Sequence, residues 1–439
     1  MAKKITIIGG GSSTFVPQLM RFFLDSKVLE GSTIVLMDVD QKRLDVMDTL
    51  CRQLVKLQKS SLKIESTTDQ RASLDGADFV IGSISVGGMD AWEKDIEIPA
   101  RHGIIMPIAD SIGPGGIMRA FRHIPVLASV CEDLEEVSPD AWVFNYSNPA
   151  TSNVIGMNMV SDIRVAGLCT CSSIPRNAAY LAAMAGAEPE DMMVPAPAAG
   201  LNHCAAITDL RFKDGSDALA AVLEKASESV TKWGLETYGV LPYCWSHWTE
   251  FIPGLMRVED KYEGRAQGLR MQHNLHVHDM DHERERSAHW ADLAAKLASG
   301  EQELSLNVLP EDEAIEVVEI IEDIIENRNA IHVVNVINGG AISNLPEDAV
   351  VEVSSVVNGY GISPMNIGEI PEAWAAVLRS HITCQELTAE AALTGDYDIA
   401  LQAYLTDPTM AARLTPAETK ALLDEMLAAH AAYLPQFSS

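Results

Sequence analysis

Residues 4–14 read KITIIGGGSST and carry the clearest fold signal in the chain. The β-branched run Lys4–Ile8 leads into a glycine-rich turn, and apolar residues follow at helical spacing from Phe15 to Phe23. This order predicts a strand, a tight turn and a helix. Glycines let a backbone approach a pyrophosphate closely, and the helix N-terminus offers it oriented N–H groups. Because Thr14 stands where the G-x-G-x-x-G fingerprint has its third glycine, a plain tight turn stays an alternative.

A second strand, predicted at Thr33–Met37, ends at Asp38, about 20 residues beyond the glycine turn. An acid at this point of a dinucleotide-binding fold accepts hydrogen bonds from the adenosine ribose, which favours NAD over NADP. Further strands, predicted at 77–83 and 142–146, each follow a predicted helix. The first half therefore predicts an α/β fold with a doubly wound parallel sheet, as in lactate and malate dehydrogenases. The residues predicted to contact the dinucleotide are Gly9, Gly11, Ser12, Ser13, Thr14, Asp38 and Ser83.

The charge balance and the hydropathy pattern narrow the class of protein. The 439 residues include 32 Lys and Arg against 62 Asp and Glu, so the formal net charge is −30, which disfavours nucleic acid or an anionic membrane as a partner. Apolar runs stay below the roughly 18–20 residues that a membrane span requires, and the N-terminus does not resemble a signal peptide. We expect a cytoplasmic protein. The seven cysteines are odd in number and thinly spread, which does not indicate a disulfide framework.

The pattern changes near residue 197, where helical periodicity begins to dominate. The predicted elements are helices at 216–232, 311–327 and 415–433 and short strands at 330–335 and 350–353. The length also suits two domains rather than one. We therefore predict a dinucleotide-binding domain over 1–196 and a second, mixed α/β but largely helical domain over 197–439.

Four segments beyond the glycine turn carry a resemblance to a known family. They read IADSIGPGGIMRAFRHIP at 108–125, FNYSNPA at 144–150, AGLNH at 199–203 and VVNVINGGAISNLPEDAVVEV at 333–353. In this order, over about positions 5 to 370, the chain resembles glycoside hydrolase family 4, the NAD- and divalent-metal-dependent glycosidases. The first of these motifs is closest to the branch that acts on unphosphorylated α-galactosides and α-glucosides, and a uronide or a sulfonated sugar stays open as the substrate.

The resemblance implies a distinctive route for glycoside cleavage. In that family NAD oxidises the sugar at C3, a base removes the acidified C2 proton, the aglycone is eliminated, water adds, and the ketone is reduced again. A divalent metal ion, typically Mn²⁺, polarises the C2 and C3 oxygens. Relatives form homodimers or homotetramers, so we expect one of these assemblies, with a small soluble glycoside as the substrate.

The metal ligands implied by the resemblance are a thiolate and an imidazole, a pair that suits a divalent transition ion. His203 matches the imidazole. The segment Gly167-Leu168-Cys169-Thr170-Cys171 offers two thiols. Cys171 is preferred, because an alignment that places it at the family's ligand position needs fewer inserted residues than one that places Cys169 there. Cys169 stays open as the ligand, with a buried thiol at a strand end as its other role.

The resemblance also implies a proton donor and two asparagines in the site. Asp110 stands where family members carry an acid and is predicted to protonate the leaving group, with burial beside Ile108 and Ile112 keeping it protonated. A turn cap is its alternative role. Asn148 is predicted to bridge the nicotinamide and the substrate hydroxyls, and Asn202 is predicted to bind substrate.

The base is where the sequence departs from the family pattern. Relatives place a tyrosine or an aspartate in the segment that corresponds to 239–250, and the aligned column falls near Trp245, which cannot accept a proton. Tyr243 is predicted to be the base, with a substrate wall as its alternative role. Trp245 and Trp248 are predicted to stack on the sugar. Arg265 is predicted to contact the C2 or C6 side of the sugar, with a surface charge as its alternative.

Other interpretations stay open at this point. His247 and Glu250 are candidates for binding sugar hydroxyls. An NAD-dependent dehydrogenase of the lactate/malate-like type shares the predicted fold. A catalytically silent sugar or NAD sensor is motivated by the departure at the base.

Overall fold

The computed structural model describes residues 2–225, 230–244, 247–255, 280–305, 309 and 315–437. Within these residues twelve strands form one sheet. They are β1 (Lys4–Ile8), β2 (Thr33–Met37), β3 (Lys63–Thr67), β4 (Phe79–Gly82), β5 (Trp142–Asn145), β6 (Arg164–Gly167), β7 (Ala198–Leu201), β8 (Cys204–Ile207), β9 (Leu241–Pro242), β10 (Ala330–Ile337), β11 (Val350–Asn358) and β12 (Gly361–Pro364).

The α-helices of the same residues cover the sheet. They are α1 (Phe15–Asp25), α2 (Gln41–Gln58), α3 (Gln70–Leu74), α4 (Gly88–Arg101), α5 (Gly113–Val137), α6 (Ala150–Val160), α7 (Ala178–Ala185), α8 (Ala218–Lys225), α9 (Val230–Tyr238), α10 (His247–Glu250), α11 (Met280–Ser299), α12 (Val317–Glu326), α13 (Glu372–Thr394), α14 (Tyr397–Thr406), α15 (Pro408–Ala411) and α16 (Pro416–His430). None of these described helices is both long and apolar enough to cross a membrane.

The first six strands form a parallel sheet in the order β3-β2-β1-β4-β5-β6. Its central strands are almost continuous buried apolar runs, as the pairs Ile5↔Ile34 and Ile7↔Ile81 illustrate. In this doubly wound order the direction of winding reverses between β1 and β4, and ligands of such folds bind beyond the carboxyl ends of the strands. The predicted doubly wound α/β fold is confirmed.

The second half continues the same sheet with antiparallel strands. β10 meets β6 at Asn335 and Gly167 and pairs with β11, and β11 is followed by the hairpin of β7 and β8. The two predicted strands are present as β10 and β11 and are longer than predicted, whereas β7, β8, β9 and β12 were not predicted. The sheet crosses the predicted boundary at 196/197, and the division into two domains stays a prediction.

The predicted helices of the second half have shorter bounds in the structure. The prediction at 311–327 corresponds to α12, and the prediction at 415–433 corresponds to α16, which begins with a capping box between Thr415 and Glu418. The prediction at 216–232 overlaps α8 and α9. Residues 226–229 and 310–314 lie outside the described part of the chain.

The carboxyl ends of the parallel strands bring the sequence motifs to one edge of the sheet. Gly9 follows β1, Asp38 follows β2 and Ser83 follows β4. Asn148 and Cys169 come shortly after β5 and β6. Because parallel strands all end on the same side, these five residues lie along a single edge.

Candidate functional site

The glycine turn packs against two strands with no room for side chains. Gly9 adopts a φ of +92°, and a Cβ atom on it would lie 2.2 Å from the Ser83 carbonyl oxygen. A Cβ atom on Gly10 would lie 2.8 Å from the Leu36 Cα atom. The N–H groups of Gly9 and Gly10 donate to the Met37 carbonyl at 2.9 and 2.7 Å. Only glycine satisfies this close approach of the turn to β2 and β4.

Asp38 is held at the same turn by its carboxylate. Its Oδ2 atom accepts a hydrogen bond from the Gly11 N–H at 2.9 Å, and its Oδ1 atom accepts from the Asp40 N–H at 2.9 Å. A Cβ atom on Gly11 would lie 2.8 Å from that Oδ2 atom. Each carboxylate oxygen has a further lone pair that a ribose hydroxyl can use. The structure therefore places Asp38 directly beside the glycines.

The remaining predicted dinucleotide contacts surround the start of α1. Ser12 Oγ accepts from the Phe15 N–H at 3.1 Å, and Ser13 and Thr14 are half-buried just before the helix. The first turn of α1 carries no acidic side chain, so its N–H groups and partial positive charge suit an anion. Ser83 is buried, and its hydroxyl has no hydrogen-bond partner among the described residues. This end of the sheet can hold a dinucleotide.

A chain of hydrogen bonds joins Asp110, Ser111 and His203. The Ser111 hydroxyl donates to Asp110 Oδ1 at 2.7 Å and lies 2.8 Å from His203 Nδ1. Because the hydroxyl hydrogen points to Asp110, we infer that Nδ1 carries a hydrogen toward Ser111, which leaves Nε2 as the nitrogen that can bind an ion. The Asn148 amide donates to Asp110 Oδ2 at 2.7 Å. The structure thus brings Asp110, Asn148 and His203 together.

His203 occupies the tip of the hairpin between β7 and β8. Its φ of +65° is a left-handed conformation that persists only where the surroundings fix it. The ring packs against His247 with the centroids 4.3 Å apart, and Cys169 lies close enough to raise the pKa of the ring. Burial lowers the pKa of His203, but Cys169, Asp110 and Glu352 outweigh burial and raise that pKa to about 9. These neighbours favour a positive charge at this position.

The thiol that contacts the His203 imidazole is that of Cys169. Cys169 follows β6 in an extended conformation, and its sulfur accepts from the Cys171 N–H at 3.4 Å. Cys171 lies with Cys169 and Cys244 in a buried group of three thiols, the three-thiol cluster. The geometry favours Cys169 over the predicted Cys171 as the partner of His203. The choice of metal thiolate stays a prediction.

Tyr243 and Asn202 meet at the buried carboxylate of Glu352. The Tyr243 hydroxyl donates to Oε1 at 2.6 Å, while the amides of Asn202 and Asn335 donate to Oε2 at 2.8 and 3.0 Å. Burial and the nearby Cys169 raise the pKa of Glu352 to about 7, against the lowering effect of these three donors. The side-chain oxygen of Asn202 has no hydrogen-bond partner in the part of the chain that the structure describes.

Glu352, Asn335 and Ser111 were not predicted as site residues. A polar side chain inside an apolar strand was the available signal for two of them, because Glu352 interrupts a valine-rich run in β11 and Asn335 interrupts one in β10. Such residues are buried only where hydrogen-bond partners surround them. The signal for Ser111 was its place at the start of the Ser-x-Gly-x-Gly-Gly turn, next to Asp110.

Glu250 supports the backbone that precedes Asp110. Its Oε1 atom accepts from the Ile108 N–H at 2.7 Å and from the Ala109 N–H at 3.3 Å, and Ala109 has a left-handed φ of +53°. Burial raises the pKa of Glu250 to about 8 even though both N–H groups lower it. With 1% of its surface exposed, Glu250 holds a backbone turn and is not presented to a ligand.

The predicted rise in the pKa of Asp110 is wrong. Burial does raise this pKa, but the charges of His203, His247 and Arg119 and the Ser111 hydroxyl outweigh burial, so the pKa lies below its usual value. The prediction considered the apolar neighbours alone. The carboxyl group is therefore ionised in the surroundings that the structure describes.

The predicted aromatic contacts have different outcomes. Trp248 is fully buried in the core, where its ring lies 6.2 Å from that of Trp233 and 6.1 Å from that of Trp374. The prediction that Trp248 stacks on a sugar is wrong, because other indoles cover it. Trp245 and Arg265 lie outside the described residues.

Comparison with known sequences gives a consistent result over the chain. A sequence model of the family described as "Family 4 glycosyl hydrolase" matches residues 4–177, and a model of the family's C-terminal domain matches residues 198–410. An alpha-galactosidase of Bacillus subtilis (strain 168) is 31% identical over 99% of this chain and 100% of its own length. A probable 6-phospho-beta-glucosidase of the same strain is 31% identical over 99% of this chain and 98% of its own length.

A solved structure shows the same fold over nearly the whole chain. The 6-phospho-beta glucosidase of Thermotoga maritima, solved with manganese, NAD+ and glucose-6-phosphate, superposes with a TM-score of 0.78. The two proteins are 24% identical, and the match covers 98% of each chain. The sheet and helices described above are therefore those of a known architecture.

Replacing Glu250 with glutamine is expected to make stability less dependent on pH. Folding raises the pKa of this carboxyl group from 4.5 to about 8, so the protonated group stabilises the fold below about pH 4.5, and that stability is lost as the pH rises through about 8. Glutamine keeps an oxygen for the Ile108 and Ala109 N–H groups and does not ionise. In urea unfolding, the variant should gain on the order of 2–5 kcal/mol over the wild type between about pH 5 and pH 9. Parallel pH profiles would contradict this, and Glu65→Gln, at an exposed strand position, is the matched control.

Proposed function

Since the chain belongs to the family 4 glycosyl hydrolases, we propose that it cleaves small soluble α-glycosides of unphosphorylated sugars with bound NAD and a divalent metal ion such as Mn²⁺. The observation that carries the proposal is the shared edge of the parallel sheet. The glycine turn after β1 and Cys169 after β6 lie along this edge, and Asn148 lies after β5 between them. Such an edge holds a dinucleotide and a sugar side by side.

The glycine turn and Asp38 fit the two halves of a dinucleotide. The three glycines leave no side chain between the backbone and a pyrophosphate, and Asp38 offers oxygen lone pairs to the adenosine ribose. We place the nicotinamide further along the edge, near the Ser83 hydroxyl and Asn148. Bound NAD supplies a hydride acceptor for C3 of the sugar.

Cys169 and His203 fit a divalent transition ion. Their thiol and imidazole are in contact, and Ser111 orients the ring through Nδ1, in the way that outer hydrogen bonds orient metal-binding histidines. Asn202 directly precedes His203 in the chain. Among the described residues its side-chain oxygen has no hydrogen-bond partner, so this oxygen can accept a hydrogen bond from a sugar hydroxyl. A bound ion supplies a Lewis acid for the C2 and C3 oxygens.

Asp110 is assigned to the leaving-group oxygen, and Asn148 positions it. The Asn148 amide holds Asp110 Oδ2 while its own partly exposed position leaves room for substrate contacts. Because the pKa of Asp110 is lowered by its charged neighbours, Asp110 must take up a proton from solvent when substrate binds. Substrate that covers the remaining exposed 6% of Asp110 favours its protonated form.

Tyr243 is assigned to the C2 proton, with Glu352 behind it. The Tyr243 hydroxyl already donates to Glu352 at 2.6 Å, so it can pass its own hydrogen to Glu352 while its oxygen receives the proton from C2. The amides of Asn202 and Asn335 fix the other Glu352 oxygen and keep the carboxylate aimed at Tyr243. Glu352 is therefore the acceptor in a two-residue relay.

The choice of an unphosphorylated sugar rests on charge. The net charge of −30 repels anionic substrates at long range. Sequence identity does not discriminate, because an alpha-galactosidase and a probable 6-phospho-beta-glucosidase are both 31% identical to the chain. We also propose that the enzyme works in the cytoplasm as a homodimer or homotetramer.

The direct test is a screen of p-nitrophenyl glycosides with NAD, Mn²⁺ and a reductant. We expect nitrophenol release from an α-glycoside without net formation of NADH, together with exchange of the C2 hydrogen in D₂O. The 6-phosphorylated form of the same glycoside should be a poorer substrate. Accumulation of NADH in step with substrate would instead indicate a dehydrogenase, and binding without turnover would indicate a sensor.

Replacing Tyr243 with phenylalanine is expected to lower kcat by roughly 10²–10⁴-fold, the usual contribution of a general base. Exchange of the C2 hydrogen should fall in parallel, and Glu352→Gln should lower both because an amide cannot accept the proton. Tyr238→Phe is the matched control, since this tyrosine packs between Trp233 and Trp374. If Tyr243→Phe keeps wild-type exchange, Tyr243 is only a wall of the site.

Replacing Gly9 with alanine is expected to abolish NAD binding, whereas Gly76→Ala should retain it. Both glycines have positive φ, +92° and +70°, so each alanine carries a similar backbone strain of about 1–2 kcal/mol. Only at Gly9 would the Cβ atom meet a backbone atom, the Ser83 oxygen at 2.2 Å, while nothing lies within 4 Å at Gly76. Calorimetric titration with NAD measures the difference, and equal affinities would remove the glycine turn from the cofactor site.

A further inference from the structure

The three-thiol cluster brings together cysteines from separate parts of the chain. Cys169 follows β6, Cys171 lies in the short 3₁₀ turn Thr170–Arg176, and Cys244 follows β9. Their sulfur atoms all lie within 4.8 Å of one another. None of these three described cysteines forms a disulfide bond, and all three are buried.

This spacing fits a small tetrahedral ion. With metal–sulfur bonds of about 2.3 Å, two sulfur ligands of a tetrahedral zinc ion lie about 3.8 Å apart. Sulfurs that already converge within 4.8 Å reach that separation by small side-chain rotations. Thiolates select Zn²⁺ and similar soft ions, whereas Mn²⁺ prefers oxygen ligands.

We propose that Cys169, Cys171 and Cys244 form a binding site for a thiophilic divalent ion of the Zn²⁺ class. Three protein ligands leave the fourth position to water or to His203, whose ring already contacts Cys169. Each thiol that binds the ion gives up its proton. The site uses one residue of the Cys169–His203 pair and two residues that the proposed reaction does not use.

The shared residue couples the two sites, and this consequence rests on the proposed function. Cys169 in the three-thiol cluster is no longer available beside His203 for Mn²⁺. Occupation of the cluster by Zn²⁺ or Cd²⁺ therefore excludes the manganese-dependent enzyme. The cluster makes this chain sensitive to thiophilic ions through Cys171 and Cys244.

The competing explanation is that the thiols only fill space. Buried thiols often behave as small apolar groups, and this cluster has apolar neighbours such as Ile174, Leu181 and Val333. Packing alone does not require three sulfurs to converge beside an imidazole. The two explanations differ in whether an added ion binds all three sulfurs.

The test is a titration of the full chain with Cd²⁺ alone, followed by the ultraviolet cadmium–thiolate absorption. Its intensity per bound ion grows with the number of thiolate ligands. We expect Cys171→Ala and Cys244→Ala each to lose about one third of that intensity and to bind Cd²⁺ at least about 10-fold more weakly, since loss of even an outer partner costs 10–100-fold. Cys51→Ala, which removes a buried thiol from α2, should match the wild type.

A measurement on the unaltered chain covers variants that fail to fold. X-ray absorption at the zinc edge should count three sulfur neighbours for one bound Zn²⁺. The inference is overturned if the zinc edge shows one sulfur neighbour, or if both variants keep the full cadmium absorption. Either result would leave Cys169 and His203 as the proposed metal site. Three sulfurs in a chain that cleaves no glycoside would uphold the cluster and reject the proposed function.

Discussion

Glu352 is a carboxyl group buried inside the sheet, and the site is organised around the hydrogen bonds that it requires. A desolvated carboxylate is stable only where donors surround it. Asn335 of β10, Asn202 of the β7–β8 hairpin and Tyr243 after β9 supply those donors. Fixing Asn202 also fixes the next residue, His203, which lies at the hairpin tip and meets Cys169 after β6. One buried charge thus ties the antiparallel half of the sheet to the carboxyl edge of the parallel half.

Local and non-local features differ in how far the sequence predicts them. The glycine turn and Asp38 were predictable, because a strand, a turn and a helix are encoded within a few consecutive residues. The partner of His203 was not, because Cys169 and Cys171 are two residues apart and only the path of the chain after β6 decides which sulfur faces the ring. The position of Cys244 beside Cys169 and Cys171 could not be predicted either, because Cys244 follows β9 and comes from a distant part of the chain. The sequence predicts which residue types a site needs. Where the chain offers several residues of one type, the topology of the fold decides which of them come into contact.

Asp110 illustrates why burial alone does not set a protonation state. The sequence around it is apolar, and desolvation by itself would keep the carboxyl group neutral. The fold adds two imidazoles and the Arg119 guanidinium, which come from the β7–β8 hairpin, α10 and α5. Glu250 shows the opposite outcome, because burial and the nearby charge of Asp110 raise its pKa to about 8, and the two backbone N–H groups that lower this pKa do not outweigh them. At neutral pH Asp110 is therefore ionised and Glu250 is protonated, although both are buried, because the fold places different groups beside them.

Cys169 is where the two proposed ion sites overlap, and the overlap is one of chemistry as well as position. Toward His203 the donors are a sulfur, a nitrogen and the hydroxyl oxygens of a sugar, a mixed set that accepts a moderately hard ion. Toward Cys171 and Cys244 the donors are all sulfur, a set that excludes such an ion and retains a soft one. A soft ion also outranks Mn²⁺ at nitrogen and sulfur ligands in general, so affinity alone does not protect the manganese site. In the proposed enzyme the sugar decides between the two sites, because its oxygens add ligands only to the set formed by Cys169 and His203.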